Sequence, residues 1–199
     1  MKKNGDAKIT YVEQHSGVYD YFYRRGYQKY TPQQRKMVMK QGISKGFANA
    51  EASGIKIMGI EDLNQPFKVS ISNLQVSGYA KNMANLLSFR PLRYPISLKR
   101  LVAAKERKYP LYLSFKREIK RKIEINLPAD RQVNYLPDDI NFKNKAGQLL
   151  VDYEDQGDKV LLDFKLILDQ YQLEVSEYQA AKELLNKAGG VIQNQILLQ

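Results

Sequence analysis

Apolar and polar residues alternate along much of this chain, and two stretches switch to a helical period. From Lys8 to Tyr30 the residues Ile9, Tyr11 and Glu13 alternate with Thr10, Val12 and Gln14. The richness of this stretch in Tyr, Val, Ile and Phe favours strand, with Gly17 and Gly26 as turn or bulge positions. Thr31-Pro32 then opens a helix. Thr31 can cap it, Pro32 suits the first helical position, and Gln34 falls at capping-box spacing. The helix is expected over 32–47, with Met37, Ile43 and Phe47 among its apolar contacts. Gly42 and Gly46 weaken its second half by about 1 kcal/mol each relative to Ala. Strands are expected at 55–60 and from Phe67 toward Tyr79, and Pro91 and Pro95 make 81–110 read as an irregular excursion.

From Tyr109 the period-2 signal is long. Leu111, Leu113, Phe115, Ile119, Ile123, Ile125 and Leu127 all fall on odd positions, and Arg117 and Arg121 break that face. The stretch is about three times a usual strand length, so a bulge or bend is expected near Arg117–Arg121. Further strands are expected at 139–142, 148–153 and 159–168, with Glu154 to Asp158 as a hairpin turn. A second helix is expected over 177–188. Ser176 would cap it, and its apolar face is Tyr178, Ala181, Leu184, Leu185 and Ala188. Residues 191–198 read as a final strand. The resulting class is β-rich α+β: an antiparallel β-sandwich with two helices on sheet surfaces. Residues 1–66 form an αβ linking segment, and 67–199 form the sandwich domain.

Composition narrows the chemistry. The chain has 199 residues, no Cys and a single His. A thiol nucleophile, a disulfide and a thiolate metal site are therefore excluded, and so is a multi-histidine site. No Gly-x-Ser-x-Gly elbow, Gly-x-Gly-x-x-Gly fingerprint or Walker-type loop occurs, so no cofactor and no enzyme activity are expected. No apolar run reaches membrane-spanning length, and the basic start lacks the apolar stretch of a signal peptide.

The net charge of +11 is unevenly spread: +7 over 1–85, +10 over 86–122 and −6 over 123–199. The candidate anion or partner surface is accordingly Arg90, Arg93, Lys99, Arg100, Lys116, Lys120 and Lys122, with Tyr94, Tyr109 and Tyr112 interleaved. Cations with aromatics suit an anionic polymer such as nucleic acid or an acidic glycan. The same lysines on an outward strand face suit a solvated edge or the dock of an acidic partner domain. Arg117 and Arg121, with inward parity, mark either the bulge or buried ion pairs with residues such as Asp163 or Asp169. His15 with Asp20 offers the outline of a base and its orienter, and Glu13 with Asp20 the outline of a carboxylate pair. A polar residue at a strand end is the reading preferred for His15. Asp152, Glu154, Asp155 and Asp158 lack EF-hand spacing and fit a solvated hairpin tip. The tyrosines from Tyr11 to Tyr30 fit either a sugar-stacking belt or ordinary strand surface.

The order of motifs in the C-terminal half carries a resemblance. Arg107-Lys108-Tyr109-Pro110 precedes a charged strand ending Ile125-Asn126-Leu127-Pro128. Then come Val133-Asn134-Tyr135-Leu136-Pro137, Gly147-Gln148-Leu149 and Glu177-Tyr178. This resembles the trailing region of bacterial transglutaminase-like proteins, a family best populated in Bacteroidetes, in which a papain-like core is followed by a β-rich domain of unknown function. Gly17 to Arg24 and Pro66-Phe67 fit the segment that links core to trailing domain. The family's Cys–His–Asp constellation has no counterpart here, since Cys is absent. The resemblance therefore implies a non-catalytic accessory or scaffold region. Its implied partner is a transglutaminase-like catalytic domain in cis or in trans, and its implied location is the periplasm or cell envelope.

Overall fold

The computed structural model describes residues 1–2, 4–47, 49–92, 99–113 and 116–199. Alternation does build the first strand, β1 (Ala7–Gly17), whose odd residues Ala7, Ile9, Tyr11, Glu13 and His15 are buried. The strand stops at Gly17, whose φ of +65° is a backbone state that favours glycine. The expected strand toward Tyr30 is instead a helix, α1 (Val18–Gln28). Tyrosine's strand preference misleads there, because Tyr23 and Tyr27 sit one helical turn apart and both turn inward.

The second helix, α2 (Pro32–Gly46), starts as its sequence indicates. The Thr31 hydroxyl accepts from Gln34 N–H, and the Gln34 side chain accepts from Thr31 N–H at 2.9 Å. There follow β2 (Ala50–Met58) and β3 (Lys68–Val76), then two short strands, β4 (Lys81–Met83) and β5 (Leu86–Phe89). These last two fall within the stretch expected to be irregular. A 3-10 turn (Lys99–Val102) and β6 (Leu111–Tyr112) lead to β7 (Arg117–Asn126). β7 keeps unbroken register with both neighbours from Arg117 to Ile125, so the break expected near Arg117–Arg121 lies ahead of Arg117, between β6 and β7, with no bulge in the ladder itself. The remaining strands are β8 (Val133–Tyr135), β9 (Ile140–Asn144), β10 (Gly147–Asp155), β11 (Lys159–Leu168) and β12 (Gln172–Leu173).

The last helix, α3 (Tyr178–Gly190), buries Tyr178, Ala181, Leu184, Leu185 and Ala188, the apolar face its period indicates. Its expected Ser176 cap is replaced by a Glu174–Glu177 capping box on a preceding 3-10 turn. β13 (Ile196–Leu198) closes the chain.

Two antiparallel sheets carry the fold. The larger runs β2-β3-β1-β7-β11-β10-β9 and the smaller β4-β5-β13-β8. Leu87, Phe89, Ile196 and Leu198 of the smaller sheet share one buried cluster with Ile9, Ile125 and Val160 of the larger. The structure is therefore a β-rich α+β sandwich, with three helices among the described residues. The segments on either side of residue 66 meet within one sheet, because β1 inserts between β3 and β7. Tyr79, between β3 and β4, packs the end of α2 against the smaller sheet. Its ring lies between Phe47 and Phe89, and its hydroxyl donates to the Arg90 carbonyl at 2.8 Å.

Candidate functional site

The inward residues of β1 and β7 meet across a ladder in which Glu13 is the direct partner of Arg121. Both face the core: Glu13 is 8% exposed and Arg121 5%. Arg121 Nε donates to Glu13 Oε2 at 3.2 Å, and the Tyr11 hydroxyl donates to the same oxygen. His15 Nε2 lies 2.6 Å from Glu13 Oε1. One carboxylate thus collects three partners from two strands. Burial alone would push its pKa up. The Arg121 charge and the bonds from His15 and Tyr11 outweigh this and hold Glu13 at about 2. Burial, reinforced by the Glu13 charge, pushes the Tyr11 hydroxyl well above its usual range.

His15 is itself buried and stacks on Tyr23, with ring centroids 4.0 Å apart. Its hydrogen bond goes to Glu13, whereas Asp20 pairs with Arg24 and accepts from the Phe67 N–H. Burial opposes ionisation of Asp20, and the Arg24 and Phe67 bonds overcome it, so the carboxyl sits below its usual range. No hydrogen bond joins Asp20 to His15 or to Glu13 among those described, although the His15 charge also helps to lower the Asp20 carboxyl. Beside Glu13 lies a small cavity of about 80 Å³, closed by Tyr23, Tyr27, Ile43 and Phe47 over Tyr11, Val69 and Ile71. Sequence parity shows Arg121 pointing inward. Its partner is Glu13 rather than Asp163 or Asp169, because β1 and not a C-terminal strand supplies the facing acid.

Of the seven basic candidates, the side chains of Arg90, Lys116, Lys120 and Lys122 fall within the described residues. Lys120 and Lys122 do point outward from β7, which is the fourth of seven strands and so no edge. Their charges are locally matched: Lys120 with Glu118 at 3.0 Å, and Lys122 with Asp163 at 3.2 Å. Lys165 joins Glu118 at 3.1 Å and Lys159 joins Glu124 at 3.6 Å on the same face. The Lys116 ammonium sits 5.8 Å from the Tyr171 ring centroid. Arg90 is exposed just past β5, on the smaller sheet. Arg93 and Tyr94 lie outside the described residues, as do the side chains of Lys99, Arg100 and Arg117.

A second region is also rich in cations and poor in acids. Residues 18–46, which make α1 and α2, hold seven Lys or Arg and one acid, Asp20. Only Arg24 and Arg35 among those seven form ion pairs within the described residues, with Asp20 and Glu61. The signal was present in the charge count of the first 85 residues, but the denser run at 86–122 obscured it.

The acidic hairpin tip bonds to itself: Asp155 accepts from Gly157 N–H, and Glu154 accepts from the Gln156 amide. Among the described residues, no three His, Cys, Asp or Glu side chains gather as metal ligands do. No described helix is long and apolar enough to cross a membrane.

Residues 84–198 match a family described as a domain of unknown function with solved-structure structure (DUF3858). The match begins between β4 and β5 and runs to β13, so it includes Arg121 but not Glu13 or His15. No curated protein matches this chain. No solved structure matches it either. Since the matched segment is more than half of the chain, the protein belongs to the DUF3858 family.

Proposed function

We propose that this chain is a non-catalytic accessory domain that follows or docks a transglutaminase-like catalytic core. One observation carries the reading. The DUF3858 match at 84–198 falls on the segment whose ordered motifs, from Arg107 through Leu136-Pro137 to Glu177-Tyr178, resemble the trailing region of those proteins. The internal chemistry supports it. Glu13, His15, Tyr11 and Arg121 bind one another inside the core, an arrangement that stabilises a scaffold and keeps its charges from substrate. In this reading the domain works by shape and surface, and its location is the bacterial cell envelope.

The test is the mass and company of the native product. An antibody raised against this chain should detect, in source cells, either a band several-fold above 23 kDa or a 23 kDa band that co-purifies with a separate transglutaminase-like protein. A 23 kDa product that co-purifies with no such protein would overturn the proposal.

A further inference from the structure

We propose that the outward face of the α1–α2 hairpin binds an anionic lipid surface. This goes beyond the accessory-domain reading and does not depend on it.

Both helices lie on the same side of the larger sheet. Tyr23 and Tyr27 of α1, and Met39 and Ile43 of α2, close one cavity over Tyr11, Val69, Ile71 and Leu74. Their opposite faces therefore look out together. On α1 the exposed stripe is Tyr21, Phe22, Arg25, Gln28 and Lys29. On α2 it includes Lys36, Met37, Lys40 and Lys45. Arg25, Lys29, Lys36, Lys40 and Lys45 are all exposed and form no ion pair among the described residues. Arg25 instead donates to the Tyr21 hydroxyl, and Lys29 sits by the Tyr30 ring.

Among these cations stand large apolar groups in water: Tyr21 is 52% exposed, Phe22 50% and Met37 59%. Leaving them exposed has a cost that burial in another phase would remove. Cations around apolar tips on an outward helical face is the arrangement of interfacial helices. Their apolar residues enter the headgroup boundary while Lys and Arg meet anionic lipid. Single-stranded nucleic acid asks for a groove with rings that stack successive bases. Tyr21 and Phe22 are instead inclined at 59° to each other, not stacked in a row. The sheet face carrying Lys120 and Lys122 lies on the opposite side of the molecule, and its charges are matched internally.

The experiment is co-sedimentation of the 199-residue chain with vesicles of phosphatidylglycerol and phosphatidylcholine in equal parts, at low and at physiological salt. Binding should appear with these vesicles and not with phosphatidylcholine alone, and should weaken with salt. Each removed cation should lower the partition about fivefold, so Lys36→Gln with Lys40→Gln should weaken it about 25-fold. Gln matches Lys in helix propensity, so these variants keep the helix. Phe22→Ser should weaken binding about tenfold, and that loss should persist at high salt. Lys120→Gln with Lys122→Gln should leave binding unchanged. The proposal is overturned by absent binding, by equal binding to phosphatidylcholine alone, or by equal losses from the β7 pair. It is also overturned if a single-stranded oligonucleotide is bound and the vesicles are not.

Discussion

Replacing Arg121 by Met should cost this protein about 3–5 kcal/mol at pH 7, because it strands a buried carboxylate. The magnitude follows from the site. Glu13 is 8% exposed, so water cannot take over from the guanidinium 3.2 Å away. Its pKa of about 2, against an ordinary 4.5, corresponds to about 3 kcal/mol of favourable interaction with the ionised form. A group with a depressed folded pKa contributes stability that is fully present above its unfolded pKa. That stability is lost as pH falls through the folded value, so in the wild type it fades between about pH 4.5 and 2. Without Arg121, burial of Glu13 is opposed by His15 and Tyr11 but no longer by the guanidinium charge, and its pKa rises. The variant then regains stability on protonation, and the gap to wild type narrows as pH falls from 7 to 4. Glu13→Gln alone should also destabilise, because it removes the carboxylate that the buried Arg121 pairs with. The double variant should lose clearly less than the sum of the two, with a coupling of at least about 2 kcal/mol. Urea unfolding followed by circular dichroism at pH 7 and pH 4 measures all four corners of the cycle. A coupling below about 0.5 kcal/mol, or a gap that widens toward pH 4, would refute the argument.

Three smaller perturbations test other parts of the fold. Gly147→Ala should destabilise by about 2–4 kcal/mol in the same urea assay, since a Cβ there would stand 2.0 Å from the Ile167 carbonyl oxygen at a φ of +149°. Thr31→Ala removes the capping hydroxyl of α2 and should cost about 1 kcal/mol, read as a lower urea midpoint with unchanged slope. Lys122→Ala should move the midpoint by no more than about 0.5 kcal/mol, because Lys122 and Asp163 are 75% and 47% exposed and their pairing is screened.

The elements legible in the sequence are those long enough to show a period. Inward alternation over Val160 to Leu168 and the apolar face of α3 stand in the structure as the sequence indicates, and the turn expected at 154–158 tightens to 156–158 because β10 runs on to Asp155. β4 and β5 are three and four residues long, too short for alternation to separate them from loop. α1 was hidden by composition. Its tyrosines favour strand, and the outcome turned on the break at Gly17 and on the sheet surface available to Tyr23 and Tyr27. The buried cluster was half legible. Parity marks Arg121 as inward, but its partner lies 108 residues earlier in the chain. No local pattern reveals that β1 inserts between β3 and β7. Pairing of Lys120 and Lys122 was equally non-local in part, since Asp163 reaches Lys122 from β11.

That insertion has a consequence for what can fold. The family match starts at residue 84, but β7 owes one of its two ladders to β1, with partners from Ile9–Ile125 to Gly17–Arg117. A fragment of residues 84–199 would turn β7 from the fourth of seven strands into the edge of a four-stranded sheet. It would leave Arg121 without Glu13, and Phe89 without the Tyr79 ring. Ile119, Ile123 and Ile125, none more than 7% exposed in the whole chain, would lose their neighbours on the β1 side. Lys120 and Lys122 would blunt the new edge on one face only, leaving its backbone open to another chain. The fragment should therefore aggregate or unfold without a cooperative transition. The whole chain should unfold in one step, coincident by circular dichroism and tyrosine fluorescence. A fragment that unfolds cooperatively at the urea midpoint of the whole chain would show instead that β1 to β3 only decorate a core complete without them. If the fragment fails as expected, residue 84 marks where sequence similarity begins, and the folding unit starts at β1.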